Sequence, residues 1–170
     1  MARQLIFCLE TNKRANTDYI YIKEAINFLY QESKQIKISP IYMGTKTKYR
    51  SKDVWKEINQ KKRMFIHGET KVIYFIDTDA FEKSIEHANA FRDIRQFCEG
   101  NDYDLVWFCH DVEEVFLGRQ IPDDLKVQAA GTYKNKGEIE KMSPEKLSSK
   151  IIRTNTSNLL CVLDKYLDRK

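Results

Sequence analysis

The sequence lacks several features that mark special classes of protein. None of its 170 residues belongs to a run approaching the roughly 18 apolar residues that a membrane-spanning helix needs. The first residues lead into a short apolar segment that carries a glutamate and has no small-residue cleavage site, unlike a signal peptide. No repeat, low-complexity tract or clear linker divides the chain. We therefore expect one domain over residues 1–170, located in the cytoplasm and without membrane contact.

Closely spaced cysteines are also absent, which excludes a zinc ribbon or a CxxC redox motif by spacing. The four cysteines are Cys8, Cys98, Cys109 and Cys161. Three of them lie in apolar segments, so we expect buried free thiols. His110 follows one such segment, where a hydrogen-bonded strand-end role is the more ordinary expectation than a metal ligand.

Strand-like and helix-like segments alternate along the first two thirds of the chain. Short apolar runs predict four strands, at 4–10, 37–45, 71–79 and 103–111. Helical spacing of apolar residues separates them, which is typical of βαβ units with right-handed crossovers. The sequence thus predicts an α/β fold, a single three-layer domain with a mostly parallel four-stranded sheet. The core is expected at about 4–118, followed by a helical C-terminal extension over 119–170 that ends in a helix from Thr156.

Local signals also predict where individual helices begin and which residues they bury. Thr17 and Ser51 each precede a helical segment and are suited to cap it. Trp55 falls on the apolar face of the second helix, and Trp107 falls within the fourth strand. Both tryptophans are expected in the core.

Carboxylates follow the predicted strands at one edge of the sheet. The stretch KVIYFIDTDAFEK places Asp77 and Asp79 directly after an apolar run, and Glu10 ends the first strand. Ligands of open parallel sheets bind outside this edge. Because gathered carboxylates repel each other, a divalent cation would hold them ionised, and oxygen ligands favour Mg²⁺ or Mn²⁺. Further polar side chains follow the fourth strand: His110, Asp111, Glu113 and Glu114.

A helix cap is the alternative role for these acids, and the sequence leaves both open. Asp77 and Asp79 precede a predicted helix, whose first amides an aspartate side chain can accept. Glu113 and Glu114 begin a short helix, where acidic side chains stabilise the helix dipole without any metal.

A glutamate ending the first strand and a D-x-D motif ending a later strand resemble the Toprim domain. That domain is the catalytic module shared by topoisomerases, primases and several nucleases. The segment VWFCHDVEEVFLG resembles more loosely the RloB-like and OLD-like Toprim proteins of bacterial and phage defence, which carry a further acidic residue near a short helix. The resemblance covers about residues 4–118.

The resemblance implies a Mg²⁺- or Mn²⁺-dependent nuclease that hydrolyses phosphodiester bonds in DNA or RNA. Glu10 would be a metal ligand or general base, Asp77 and Asp79 would hold the ion, and Glu113 or Glu114 would be an extra ligand. Basic residues would hold the phosphate backbone; they are Lys13, Arg14, Lys46, Lys48, Arg50, Lys61, Lys62 and Arg63. Solvated surface charge explains such clusters equally well. A protein partner or a homodimer also stays open.

Two other classes of function compete with a nuclease. A non-enzymatic Toprim-like or Rossmann-like module, binding a nucleotide or a protein, is favoured because Thr11 and Ala80 stand where the family commonly has glycine. Phosphatases of the haloacid dehalogenase type and nucleotide-sugar transferases also use D-x-D. The former place it on the first strand with threonine or valine where Phe81 stands here, and the latter usually have larger domains.

Overall fold

Five strands and six helices make up the computed structural model, which describes residues 1–170. The strands are β1 (Ala2–Leu9), β2 (Ile36–Tyr42), β3 (Gly68–Asp77), β4 (Asp104–Cys109) and β5 (Thr156–Ser157). The helices are α1 (Thr17–Leu29), α2 (Lys52–Met64), α3 (Ile85–Gly100), α4 (Val112–Leu117), α5 (Lys126–Asn135) and α6 (Leu159–Leu163). None of the helices has the length and apolar character needed to cross a bilayer.

The sheet has the order β2-β1-β3-β4-β5 and confirms the predicted α/β class, but it has five strands instead of the predicted four because the C-terminal region adds β5 at one edge. Its first four strands are parallel, with Leu9 beside both Tyr42 and Phe75, whereas β5 is antiparallel to β4. The chain moves outward from β1 to β2 and then resumes on the other side with β3. The strand order therefore reverses between β1 and β3, which is where open α/β sheets form a ligand-binding crevice.

Alternation of side chains along the central strands divides the core into two layers. Leu5, Phe7 and Leu9 of β1 face one side, where α1, α4 and α5 cover them. Ile6 and Cys8 face the other side, against α2 and α3. Because a strand buried on both faces needs apolar residues at every position, β1 lacks a polar-apolar alternation. The three-layer arrangement is confirmed.

The C-terminal region departs from the predicted helical extension. Thr156 and Ser157 form β5 instead of beginning a helix, and α6 is confined to Leu159–Leu163. Asn158 explains the difference, since its side chain accepts a hydrogen bond from Trp107 N (2.8 Å) and donates one to Leu105 O (2.9 Å). The Asn158 side chain thereby satisfies two backbone groups of β4 as a neighbouring strand would.

Local predictions for the helices had mixed outcomes. Ser51 caps α2, accepting a hydrogen bond from Val54 N at 3.3 Å. Thr17 is not a cap: it is the first residue of α1, and Asn16 occupies the cap position with a φ of 52° and no capping bond. Trp107 is buried, but Trp55 is 59% exposed, because α2 buries only a narrow face of the helix.

Candidate metal centre

Glu10 and Asp77 meet at the switch point of the sheet. Glu10 directly follows β1, and Asp77 is the last residue of the neighbouring β3. Glu10 Oε2 accepts a hydrogen bond from Asp77 N at 2.8 Å. The first glutamate and the first aspartate of the predicted constellation therefore lie together, as expected from the strand ends.

Asp79 is held in the loop that follows β3. Asp79 N donates to His110 O at 2.9 Å, and the Asp79 backbone is left-handed, with a φ of 52°. Neither aspartate caps α3, which begins only at Ile85 and is capped by Ser84. Asp77 instead accepts a hydrogen bond from Val112 N through Oδ1 (3.1 Å), which ties β3 to the start of α4.

The ammonium group of Lys46 lies among the three predicted metal ligands. Lys46 Nζ donates to the carboxylate of Asp79 and, at 3.1 Å, to Asp77 O, and it lies 3.9 Å from Glu10 Oε1. The side chain reaches the crevice from the 3-10 turn at Lys46–Lys48, after β2, and is only 14% exposed. A positive charge thus occupies the position in which the sequence predicts a cation.

A second lysine compensates the acids on the α4 side of the crevice. Lys126 Nζ lies 3.3 Å from Glu113 Oε2, 3.4 Å from Asp111 Oδ2 and 3.6 Å from Asp123 Oδ1. Glu113 is 1% exposed, and neither of its oxygens makes a hydrogen bond of acceptable geometry. Its compensation comes from the charge of Lys126 alone.

The pKa values of the clustered carboxyl groups are raised. Burial is the main cause at Glu10, whose pKa rises from 4.5 to about 7 although Lys46 opposes the rise. Burial likewise raises the pKa of Asp77 well above its ordinary value, with Glu10 adding to the effect. Burial also raises the pKa of Glu113, against the pull of Lys126. Burial thus favours the protonated form of these carboxyl groups, and the two lysines offset this effect only in part.

Asp18 belongs to the same cluster but was not predicted. It lies in the first turn of α1, is 5% exposed, and has a pKa raised by burial and by the charges of Glu10 and Glu113. In the sequence Asp18 falls in the first turn of a predicted helix, where an acidic side chain commonly stabilises the helix dipole. Only the packing of α1 over the carboxyl edge shows that it faces other acids.

Of the two glutamates in α4, Glu113 faces the carboxylate cluster and Glu114 does not. The charge of Glu113 contributes to the raised pKa of Asp77. Glu114 turns to His110, accepting a hydrogen bond from His110 N (2.9 Å) and lying 3.0 Å from its Nδ1. Glu113 is therefore the glutamate whose charge acts on the cluster, whereas Glu114 supports His110.

The donor atoms of the crevice suit a hard divalent ion. Hydrogen bonds to backbone amides hold Glu10 Oε2 and Asp77 Oδ1, which leaves the other oxygen of each carboxylate unbonded. Oxygen donors of this kind are those that Mg²⁺ and Mn²⁺ prefer. Their ligand atoms and those of Asp79 do not all lie within 4.8 Å of one another. Metal binding would therefore require Lys46 to withdraw and the three side chains to close together.

The predicted phosphate-binding residues are divided between two edges of the sheet. Exposed basic side chains at the carboxylate edge lie in the loops after β1 and β2: Lys13, Arg14, Lys48 and Arg50. The remaining predicted residues form the last turn of α2: Lys61, Lys62 and Arg63. A crossover helix runs antiparallel to the strands that it connects, so the C-terminal turn of α2 lies at the edge of the sheet opposite the carboxylates. In agreement, Lys62 Nζ is 5.3 Å from the ring centre of Tyr103, which directly precedes β4. These last residues lie away from the carboxylates.

Comparisons of the chain with family models, curated proteins and solved structures gave no match. Function has to be argued from the side chains of the site themselves.

Proposed function

We propose that the protein is a Toprim-type nuclease that hydrolyses phosphodiester bonds in DNA or RNA with Mg²⁺ or Mn²⁺. One observation carries the proposal: the carboxylate of Glu10 accepts a hydrogen bond from the amide of Asp77 at the switch point of the sheet, and the ammonium of Lys46 lies against the carboxylate of Asp79, the carbonyl of Asp77 and, at 3.9 Å, Glu10 Oε1. A hard cation is the natural substitute for that ammonium.

Each carboxylate has a distinct part in this proposal. The unbonded oxygens of Glu10 and Asp77, together with Asp79, would hold the ion. A bound ion would polarise a phosphoryl oxygen and acidify a bound water. Burial raises the pKa of Glu10 to about 7 in the metal-free protein, and a bound cation would lower that pKa and keep Glu10 ionised as a ligand.

Lysine and arginine side chains at the same edge suit an anionic polymer. Lys46, once displaced from Asp79, would remain close enough to contact a phosphate. Lys13, Arg14, Lys48 and Arg50 surround the crevice and are exposed. Binding through such contacts weakens as salt concentration rises. Lys61, Lys62 and Arg63 would not share this surface.

Glu113 supports the narrower likeness to RloB-like and OLD-like proteins and a role in bacterial defence. It lies in the short helix α4, where those proteins carry a further acidic residue, and it faces the carboxylate cluster. Its side chain is buried without a hydrogen bond. A second ion near Glu113 would take the place of Lys126 Nζ, which lies 3.3 Å from Glu113 Oε2.

Cleavage assays with matched variants test the proposal. Chelator-treated wild type, D77N/D79N and the exposed-site control D93N are incubated with plasmid DNA or single-stranded RNA, with and without Mg²⁺ or Mn²⁺. We expect metal-dependent cleavage by wild type and D93N, and a loss of at least about 100-fold in D77N/D79N, since the ion supplies several kcal/mol of transition-state stabilisation. Equal cleavage by D77N/D79N would overturn the proposed site.

A non-enzymatic binding module is the second candidate, and Lys46 is the observation that favours it. Its ion pair with Asp79 neutralises part of the carboxylate cluster without a metal. The module would bind a nucleotide, another protein or a second copy of the chain. Failure of the wild type to bind Mg²⁺ and Mn²⁺, with folding intact, would select this candidate.

A further inference from the structure

A second cluster of potential metal ligands lies beside the carboxylate crevice and has no part in the proposed nuclease. It consists of Glu82, Cys109 and His110, whose ligand atoms all lie within 4.8 Å of one another. Glu82 belongs to the loop between β3 and α3, Cys109 ends β4, and His110 follows it. The three residues combine a carboxylate, a thiol and an imidazole, a set unlike the all-oxygen set of the crevice.

The imidazole of His110 is oriented by a buried glutamate. Glu114 is 6% exposed, and its Oε2 accepts a hydrogen bond from His110 N at 2.9 Å. The same Oε2 lies 3.0 Å from His110 Nδ1, while His110 Nε2 lies 3.0 Å from both carboxylate oxygens of Glu82. With its proton on Nδ1, His110 directs the lone pair of Nε2 towards Glu82. A carboxylate behind the outer nitrogen is the usual support for a metal-binding histidine.

We propose that Glu82, Cys109 and His110 form a site for a transition-metal dication of the zinc type. Thiolate and imidazole ligands select Zn²⁺ and similar ions over Mg²⁺. Ligand atoms around tetrahedral zinc are roughly 3.4 Å apart, given bonds of about 2.1 Å. The ligand atoms lie within 4.8 Å of one another, so the side chains must move to reach this spacing, and Glu82 can move because its side chain is 44% exposed on a loop. Three protein ligands leave a fourth position open.

The site would also stiffen the loop that carries Asp79. The carbonyl of His110 accepts the hydrogen bond from Asp79 N at 2.9 Å. A metal that fixes Glu82 and His110 would restrain Asp79, which precedes Glu82 by three residues and is hydrogen-bonded to His110 O. The zinc-type site itself stands independently of the proposed nuclease activity.

Titration with Co²⁺, a spectroscopic substitute for zinc, tests the site directly. Chelator-treated, full-length protein is titrated with Co²⁺ in the presence of excess Mg²⁺, which blocks the oxygen site. We expect one tightly bound Co²⁺ per chain, tetrahedral d–d bands, and a thiolate-to-cobalt charge-transfer band that Zn²⁺ abolishes by displacement. Absence of the charge-transfer band from the wild type would overturn the site and leave His110 as an imidazolium between two glutamates.

Variants identify the ligands and separate this site from the crevice. C109S should lose the charge-transfer band, and E82Q, a change at an exposed side chain that leaves the core intact, should weaken Co²⁺ binding at least about tenfold. C161S and E86Q are the matched controls and should bind as the wild type does. D77N/D79N should also bind Co²⁺ normally even if cleavage is lost. A band that persists in C109S, or that C161S removes, would assign the metal to other residues and contradict the proposal.

Discussion

At the scale of single residues, Lys46 determines the charge state of the crevice. Its ammonium contacts Asp79, the carbonyl of Asp77 and, more distantly, Glu10. Without a metal it relieves the repulsion of the carboxylates. It would compete with the proposed cation for the same oxygens, so one side chain can both relieve repulsion in the metal-free protein and oppose binding of the proposed cation.

Replacement of Lys46 by methionine should strengthen Mg²⁺ binding. K46M keeps the length of the side chain but removes the competing charge, and we expect the dissociation constant for Mg²⁺ to fall by roughly tenfold, which is about 1.4 kcal/mol. Calorimetric titration of K46M, wild type and the exposed control K48M measures the change. Weaker binding by K46M would mean that Lys46 does not occupy the cation position.

The raised pKa of Glu10 predicts that the metal-free protein becomes less stable as the pH rises. The folded state holds the proton of Glu10 up to about pH 7, whereas the unfolded state releases it near 4.5. The contribution of Glu10 to the free energy of unfolding is therefore complete below about pH 4.5 and is lost as the pH approaches 7, amounting to roughly 3 kcal/mol at most. E10Q should remove this part of the pH dependence.

Urea unfolding in the presence of a chelator, at pH 5 and pH 7.5, measures that difference. Between pH 5 and pH 7.5 the free energy of unfolding of the wild type should fall by at least about 1 kcal/mol more than that of E10Q. The exposed E99Q serves as the control and should follow the wild type. An identical loss in E10Q would show that Glu10 is ionised equally in both states.

The residues that the sequence reveals are those whose role depends on a strand end. Glu10, Asp77 and Asp79 follow apolar runs, and parallel strands bring their carboxyl ends to one edge. Asp18 and Lys46 could not be identified in this way. Their roles depend on how α1 and the loop after β2 pack over the carboxyl edge of the sheet, and the hydrophobic periodicity of the sequence does not indicate this packing.

At the scale of elements, the signals within a segment are more reliable than those at its ends. The apolar runs predict all four parallel strands, and Ser51 predicts the start of α2. Trp55 shows the limit, because helical spacing cannot tell how wide a face its neighbours will cover. Asn158 shows another, since its two side-chain hydrogen bonds to β4 delay the predicted start of the last helix from Thr156 to Leu159.

Removal of the cap of α2 should destabilise the protein modestly. S51A loses the hydrogen bond to Val54 N, and we expect the free energy of unfolding to fall by about 1 kcal/mol. S143A is the control, because Ser143 precedes a 3-10 turn without a capping bond. Denaturant unfolding measures both variants. A loss in S143A as large as that in S51A would contradict a capping role.

At the scale of the whole molecule, the sheet topology concentrates chemistry at one edge. The reversal of strand order between β1 and β3 opens the crevice, and the loops there carry the acids together with Lys46 and Lys126. The same topology sends the last turn of α2 to the other edge. Proximity in sequence to the first basic cluster therefore does not bring Lys61, Lys62 and Arg63 to the carboxylates.

Calorimetric titration of Mg²⁺ into chelator-treated wild type, D77N/D79N and D93N tests the cation site itself. We expect saturable binding by wild type and D93N and none by D77N/D79N, with all three proteins folded. Absence of binding in the wild type, or equal binding by D77N/D79N, would contradict the claim that the carboxylates at the switch point form a divalent cation site.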